Sequence, residues 1–280
     1  MIKNPARISF TAHYTGYVWF KNGLSHPVFV TSRGKKLYKI ISSMESVVRP
    51  LLGMDLETSL LQRHHIINHQ LHHLISTHEV PQILEIAAGL SPRGLLFKKI
   101  YPKTFKYVEA DLPKMTAHKE KLLKACNSIS DTHYCVTLDV LDKNAAHSLH
   151  NVIQKNFDCT KPIIIITEGL INYFHEPLVR DLWQRLNESM KLFPKAFYIS
   201  DIYLNELNHP LLNLGKYCLK MITRSGFNYL FDNEKALSDQ LKFAGFSAVS
   251  IINPNQPVEG LENLPKSNNP NPLRVLIATK

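Results

Sequence analysis

Acidic residues stand at the ends of four strand-like segments in this sequence of 280 residues. They are Asp111 after "YVEA", Asp139 after "CVTL", Glu168 after "IIIIT" and Asp201 after "FYIS". A single acid in such a place is as often a helix cap or a solvated turn residue. Four acids at the carboxyl ends of parallel strands would instead form a row of hydrogen-bond acceptors along one sheet edge. Such a row suits a ligand with hydroxyl groups, an amino group or a cationic centre.

The stretch "QILEIAAGLSPRG", residues 82–94, predicts a turn beside a bound ligand. An apolar run that contains Glu85 breaks at Gly89, and Ser91-Pro92 is typical of the start of a helix. Asp111 follows Gly89 by about 20 residues, the interval at which dinucleotide and nucleoside sites place the acid that binds ribose. A nicotinamide-dependent oxidoreductase would also use such an acid, but its GxGxxG fingerprint is absent from this turn.

The segments that must position these residues predict an α/β fold with a mostly parallel sheet. From residue 81 onward, strand-like and helix-like segments alternate, which is typical of a sheet with helices on both faces. Two last strand-like segments, "FSAVSII" and "PLRVLIATK", are joined by a long polar stretch without a helical pattern. Residues 1–80 carry helical patterns, the last in "ETSLLQRHHIINHQLHHLIS". We therefore predict a helical segment over residues 1–80 and a ligand-binding domain over residues 81–280.

Composition predicts an ordinary globular protein of the cytoplasm. The longest apolar run is far shorter than the roughly 20 residues of a membrane span, and the first residues do not resemble a signal peptide. The four cysteines form no CxxC pair, which favours free thiols. The formal charge of +10 would suit a nucleic-acid enzyme, but the basic residues are spread along the chain. A solvated basic surface that attracts an anionic small molecule is the favoured interpretation.

Four histidines in the last N-terminal helix could place several imidazoles on one face: His65, His69, His72 and His73. Neutral histidine is a common metal ligand. However, no carboxylate or cysteine stands at ligand spacing among them, and HExxH is absent. We predict a polar helix face and no metal site.

Five segments, in this order along the chain, closely resemble the leucine carboxyl methyltransferase family of S-adenosylmethionine-dependent enzymes. They are "TAHYTGYVWFKNGLSHP", "QRHHIINHQ", "EIAAGLSPRG", "YVEADLPKM" with "TLDVLD", and "ITEGLINYF". The resemblance extends over nearly the whole chain and is closest to the bacterial branch named as O-methyltransferases of polyketide biosynthesis. It implies a class I methyltransferase fold, in which a seven-stranded sheet has its last strand antiparallel and a helical N-terminal extension lies over the substrate side.

The resemblance also implies a set of residues that bind S-adenosylmethionine. Arg63 matches the arginine that precedes the first strand and would grip the cofactor's carboxylate. Asp111 would accept from the ribose hydroxyls, and Glu168 would face the methionine part with its ammonium group. The full expected set is Arg63, Glu85, Gly89, Asp111, Asp139, Val140 and Glu168, with Asp139 and Val140 on the adenine side.

The first loop departs from the family's usual Gly-Ala-Gly-Leu-Asp-Thr-Arg. This chain has Ala87, Ala88, Gly89, Leu90, Ser91, Pro92 and Arg93 in those places, so the first glycine and the aspartate are lost. We expect Ala87 to keep an ordinary backbone conformation and Gly89 to supply the unusual geometry of the loop. Cofactor binding is expected to survive this change.

The methyl acceptor depends on the substrate side, where the expected residues are Tyr14, Tyr17, Trp19 and Tyr173. Simple packing is an equally good interpretation of aromatic residues at this density. A carboxylate acceptor is ionised at pH 7 and needs no base, whereas a phenol with a pKa of about 10 would use one. Candidate catalytic groups are His13, Tyr17 and Asp201. We predict an O-methyltransferase for a small-molecule carboxylate, with a phenol or hydroxyl O-methyltransferase, a nucleic-acid methyltransferase and a nicotinamide-dependent oxidoreductase as alternatives.

Overall fold

Three helices precede the first strand of the sheet. The computed structural model describes residues 8–52, 56–143, 146–206, 226–266 and 271–280. Within these, α1 spans Ile8–Lys21, α2 spans Ser32–Leu52 and α3 spans Leu56–His78, with a short 3-10 helix at Pro27–Phe29 between α1 and α2. The helical patterns of residues 1–80 are therefore confirmed where the chain is described.

Strands and helices alternate after α3, as the apolar segments predict. The strands are β1 (Gln82–Ile86), β2 (Lys106–Asp111), β3 (His133–Thr137), β4 (Ile163–Thr167), β5 (Ala196–Tyr203), β6 (Ala248–Ile252) and β7 (Leu273–Thr279). The helices are α4 (Arg93–Ile100), α5 (Pro113–Ala125), α6 (Leu149–Asn156), α7 (Glu176–Met190) and α8 (Glu234–Phe243), with a 3-10 helix at Ile171–Tyr173.

The seven strands form one sheet in the order β3-β2-β1-β4-β5-β7-β6. Strands β1 to β5 pair in parallel, and β7 runs antiparallel to both β5 and β6. The prediction of a mostly parallel sheet with an antiparallel last strand is thus confirmed. The strand order reverses at β1, whose partners β2 and β4 lead to opposite edges, and ligands of open α/β sheets bind at such a point.

Apolar side chains on both faces of the sheet build the core. All five residues of β4 are buried, which explains its continuous apolar run. Ile67 and Leu71 of α3 belong to the same buried cluster as Ile164 and Ile166 of β4, so α3 covers one face of the sheet. The domain boundary at residue 80 stays a prediction. Helix α3, which precedes this boundary, contributes side chains to the core of the sheet that follows it. None of the helices in the described ranges is long and apolar enough to cross a membrane.

Candidate cofactor-binding site

A buried network of ion pairs lies at the carboxyl ends of β4 and β5. The guanidinium of Arg63 on α3 donates from Nε to Glu168 Oε1 at 3.0 Å and from Nη1 to Asp201 Oδ2 at 3.2 Å. The backbone N–H of Gly169 donates to the other oxygen of Asp201 at 2.6 Å. All three charged side chains are buried. Arg63, a residue expected at the site, therefore contacts two of the four acids at the strand ends, Glu168 and Asp201.

Arg93 joins this network from the other side, although the sequence interpretation did not include it among the site residues. Its guanidinium forms ion pairs with Glu85 of β1 and with Glu168, and its Nε donates to Asn68 Oδ1 at 2.6 Å. Its Nη2 also lies 3.1 Å from His64 Nδ1. Arg93 is fully buried, which is tolerated because every direction of its planar fork finds an acceptor.

Gly169, directly after Glu168, makes room for Arg63. Its φ of +68° lies in the left-handed region, which a side chain disfavours. A Cβ atom at this position would also lie 2.9 Å from Arg63 Nη2. The Glu-Gly pair after β4 is therefore required both by the turn and by the close approach of the guanidinium.

The network holds more acid than base. Two guanidinium groups, Arg63 and Arg93, face three carboxylates, Glu85, Glu168 and Asp201. Burial would raise the pKa of Glu168, but the neighbouring side chains of Arg93, His64 and Arg63 outweigh it and hold that pKa well below its usual value. Burial raises the pKa values of both Glu85 and Asp201. A cationic group on a ligand would offset this excess of negative charge.

Asp111, at the end of β2, shapes the loop after β1. Its two carboxylate oxygens accept from the backbone N–H of Gly89 at 2.8 Å and from that of Leu112 at 2.7 Å. Burial raises the pKa of Asp111, and these two hydrogen bonds oppose the rise. Each carboxylate oxygen has a second lone pair, so Asp111 can still accept from ligand hydroxyls.

The loop after β1 uses two left-handed residues, so the expectation for Ala87 is wrong. Ala87 has a φ of +54° and Gly89 a φ of +49°. The hydrogen bonds around the loop impose this conformation on Ala87, including the bond from Ala88 N to Ala110 O at 3.1 Å. The predicted Ser91 cap is wrong by one residue, because Pro92 is the N-cap of α4 and makes no side-chain cap bond, although the Arg93 N–H donates to Ser91 Oγ at 3.3 Å.

Lys119 of α5 donates hydrogen bonds to backbone carbonyl groups of the same loop. Its buried ammonium donates to Ser91 O at 2.7 Å and to Ala88 O at 3.4 Å, and it forms an ion pair with Glu109 of β2. His133 Nε2 lies 2.7 Å from the other oxygen of Glu109. The sequence gives no signal that Lys119 binds this loop, because the two carbonyl groups to which it donates lie about 30 residues away.

The expected adenine-side residues follow β3. Asp139 is half-buried, and its carboxylate accepts from the Leu141 N–H at 2.9 Å, while Val140 is buried. This places them at the carboxyl edge of the sheet, on the strand next to β2. Their role in binding adenine stays a prediction.

The four expected substrate-side residues separate into two groups. Trp19 packs its ring 4.6 Å from that of His64, and the Tyr173 hydroxyl donates to Thr11 Oγ1 at 3.1 Å. These two lie next to the ion-pair network. Tyr14 and Tyr17 instead pack against Tyr38 of α2, at 6.3 Å and 5.2 Å between ring centroids.

Helix α1 lies against the loops that follow both β1 and β4. A Cβ atom at Gly89 would lie 3.1 Å from Ala12 Cβ, and one at Gly16 would lie 3.1 Å from Leu90 Cβ. The bond from Tyr173 to Thr11 joins the same helix to the segment after β4. The N-terminal helix thus covers the carboxyl edge of the sheet at its centre.

The candidate catalytic groups differ in their surroundings. His13 is half-buried with Nδ1 3.0 Å from Thr31 Oγ1, and burial, then Arg33 and His118, lowers its pKa to about 4. It is therefore neutral at pH 7. Asp201 is committed to Arg63 and Gly169, and Tyr17 packs on α2. Catalytic roles for these groups stay predictions.

His72 of α3 contacts side chains outside its own helix. His72 Nδ1 lies 2.7 Å from the Tyr101 hydroxyl, and its ring stacks on Phe97. Among the described residues, no group of three histidine, cysteine or acidic side chains is arranged to hold a metal ion. Cys126, Cys135 and Cys159 are free thiols, while Cys218 lies outside the described residues.

The order and directions of the seven strands are those of the class I methyltransferase fold. The chain belongs to the leucine carboxyl methyltransferase family, whose model matches residues 27–187, more than half of the sequence. No curated protein matches the sequence significantly.

Solved structures share the fold at low sequence identity. A DUF574 family protein from Streptomyces avermitilis has a TM-score of 0.65 at 12% identity, covering 96% of this chain and 97% of that one. A methyltransferase described as putative, from Thermobifida fusca, has a TM-score of 0.60 at 13% identity, covering 90% and 89%. The chain spans only 51% of the structure described as "PigF with SAH", which has 12% identity, covers 72% of this chain and has a TM-score of 0.47.

Loss of the Lys119 ammonium is expected to weaken cofactor binding by releasing the loop after β1. Lys119→Met should make binding of S-adenosylhomocysteine about 1 kcal/mol or more less favourable, because hydrogen bonds from a charged donor contribute about 1.5–3 kcal/mol. Lys98→Met is the matched control, since Lys98 also donates to backbone carbonyls, but at the opposite edge of the sheet. Calorimetric titration of both variants measures the effect. Equal affinities in the two variants would remove Lys119 from the binding of the cofactor.

Proposed function

We propose that this methyltransferase transfers the methyl group of S-adenosylmethionine to a carboxylate oxygen of a small molecule. The cofactor supplies an electrophilic methyl group on a sulfonium centre. The chain's residues must then bind the cofactor, hold the acceptor oxygen in line with the methyl group and exclude water.

The buried network fits the amino-acid end of the cofactor. Glu168 and Asp201 together with Glu85 outnumber the two arginines, so a ligand ammonium would balance the charge. The guanidinium of Arg63, whose Nη2 lies close to Gly169, is proposed to pair with the cofactor's carboxylate. Asp111 has lone pairs free for ribose hydroxyls beyond its two backbone bonds. These residues are proposed to bind the cofactor.

The observation that carries the acceptor assignment is that the site's carboxylates are already committed. Glu85, Glu168 and Asp201 are ion-paired with arginine, and Asp111 accepts two backbone N–H groups. Groups held in this way serve as binding groups, not as proton acceptors. A carboxylate acceptor needs no base because it is ionised at pH 7. The formal charge of +10 also favours an anionic acceptor.

A phenolic acceptor is the second candidate, and His13 is the group that favours it. The neutral imidazole of His13 on α1 could accept a proton. However, its pKa is lowered to about 4, far from the value of about 10 of a phenol, so proton transfer would be strongly uphill. The carboxylate acceptor is therefore the better-supported proposal.

The product's stability to base distinguishes these acceptors. We expect that label from methyl-labelled cofactor, transferred to an acid from a panel of carboxylic acids and phenols, is released as volatile methanol in mild alkali. A methyl ester hydrolyses under these conditions and a methyl ether does not. A matched reaction with the corresponding primary amide should give no product. Label that stays on a phenolic product after alkali would contradict the carboxylate proposal and direct attention to His13.

A further inference from the structure

Two neighbouring buried rings, each with a buried ring nitrogen, lie next to the ion-pair network. Trp19 of α1 and His64 of α3 pack with ring centroids 4.6 Å apart and ring planes at 37°. In the described part of the chain, neither Trp19 Nε1 nor His64 Nε2 has a hydrogen-bond partner, and both atoms are buried from solvent. The residues themselves are 5% and 0% exposed.

The surroundings of His64 fix which of its nitrogens carries the proton. Arg93 Nη2 lies 3.1 Å from His64 Nδ1, and a guanidinium can only donate. Nδ1 must therefore act as the acceptor. Glu168 Oε2 lies farther from the same nitrogen, at 3.4 Å, and Arg93 also pairs with this carboxylate directly. A neutral ring then has its proton on Nε2, so that Nε2–H is a donor.

Burial favours the neutral ring. It lowers the pKa of His64 to about 4, against the opposing charge of Glu168. At pH 7, Trp19 and His64 thus present two uncharged N–H donors without an acceptor. A buried donor left unpaired costs about 1–3 kcal/mol, and two such donors on rings in contact point to a ligand oxygen that pairs with them.

We propose that Trp19 Nε1–H and His64 Nε2–H bind the carboxylate of the methyl acceptor and so determine its chemical class. This inference rests on the proposed function, because it assigns these donors to the acceptor of that reaction. The other tryptophan, Trp183, packs against Phe231 on the other side of the sheet, within the core. It provides a matched indole for comparison.

Uncharged donors suit a carboxylate that must act as a nucleophile. The carboxylate loses its negative charge as the ester forms, so a cation paired with it would stabilise the starting state more than the transition state. Two neutral N–H groups hold one oxygen more weakly and leave the other free to attack. The guanidinium of Arg63 would instead pair with the cofactor's carboxylate, which does not react.

The tautomer of His64 can be measured without any ligand, and it tests the assignment of the proton to Nε2. In nitrogen-15 NMR spectra of the whole protein at pH 7, His64 is expected as the Nε2–H tautomer, with its signals assigned by their loss in His64→Asn. The Nδ1–H tautomer would overturn the proposal, because Nε2 would then be an acceptor and could not bind a carboxylate.

The two indole N–H signals test ligand binding directly, because the chain has two tryptophans. In protein saturated with S-adenosylhomocysteine, benzoate is expected to shift the Trp19 signal downfield, whereas benzamide is not, and the Trp183 signal should stay in place. Trp183→Phe assigns the signals. Trp19→Phe should weaken benzoate binding by about tenfold or more, the scale of a hydrogen bond to a charged group.

The remaining outcomes separate this inference from the proposed function. If the wild type binds S-adenosylhomocysteine but benzoate moves neither indole signal, the inference fails and the methyltransferase activity stands. A Trp19 shift caused by S-adenosylhomocysteine and not by methylthioadenosine, with no response to benzoate, would assign the donors to the cofactor's carboxylate and overturn the inference. Transfer of methyl to a phenol would overturn the proposed function.

Discussion

Arg93→Leu is expected to lower the free energy of unfolding by about 3–5 kcal/mol, the scale of breaking a buried ion pair by removal of one partner. Arg93 is fully buried and pairs with both Glu85 and Glu168. Leucine fills part of the volume but leaves two carboxylates in a dry environment without their shared cation. Urea unfolding followed by circular dichroism measures the change.

The control for this prediction is an arginine in an exposed ion pair. Arg180 and Glu176 on α7 pair at helical spacing, with side chains that remain 44% and 42% exposed. Arg180→Leu should change stability by about 0.5 kcal/mol or less. If Arg93→Leu proved as mild as Arg180→Leu, the carboxylates around Arg93 would have to be protonated in the folded protein, and the charge balance described above would be wrong.

S-adenosylhomocysteine is expected to bind the wild type, and Asp111→Ala and Arg63→Ala should each weaken binding by about 1.5–3 kcal/mol. Asp111→Ala is expected to remove the hydrogen bonds from the ribose hydroxyls and the hydrogen bond that the Gly89 N–H donates to the carboxylate at 2.8 Å. Arg63→Ala removes the guanidinium that faces Glu168 and Asp201. Calorimetric titration gives both affinities.

Thermal unfolding of the same variants separates binding from folding. Arg63→Ala leaves two buried carboxylates without a shared cation, so it should also destabilise the protein. Asp111→Ala removes two backbone hydrogen bonds and leaves no such pair of carboxylates. Asp239→Ala on α8 is the matched control, because that carboxylate is exposed and pairs with Lys235. Unchanged affinity in folded Asp111→Ala and Arg63→Ala would remove both residues from the cofactor site.

The fold follows from local patterns that are visible in the sequence. Apolar segments such as "PIIIITEG" are short, bounded by polar residues and separated by helical patterns, and the chirality of parallel connections leaves few ways to arrange them. The acids at the strand ends were also visible, because strand ends meet at one edge of a parallel sheet. Glu168 and Asp201 do meet at this edge, through Arg63.

The partners of those acids were not predictable in the same way. Arg93 pairs with Glu168 across 75 residues, and Lys119 reaches the loop after β1 from a helix about 30 residues away. Lys119 does not differ in type or spacing from the many surface cations of the chain, whereas Arg93 stands at the arginine of the family's first-loop motif, a signal that the sequence interpretation did not use. Only the packing of α3, α4 and α5 on the sheet decides which cations are buried. His64 was missed for the same reason, since its role depends on Arg93 and Trp19.

The aromatic residues of α1 illustrate the limit of composition. Tyr14, Tyr17 and Trp19 stand within six positions of each other, but only Trp19 lies beside the ion-pair network. The helix turns by 100° per residue, so neighbouring rings face different elements. The rotation of α1 is set by its contacts with Gly89 and Leu90, which the sequence alone does not reveal.

The left-handed conformation of Ala87 bears on how this loop can drift during evolution. An alanine at a φ of +54° carries a cost of about 1–2 kcal/mol that glycine would avoid. Glycine, however, enlarges the unfolded ensemble and gives back about 0.4–1 kcal/mol. Because the two effects oppose each other, a lineage can exchange glycine for alanine here at a small net cost and without a compensating change elsewhere. Loss of the first glycine therefore costs at most about 1.6 kcal/mol, and the loop keeps its left-handed residue without it.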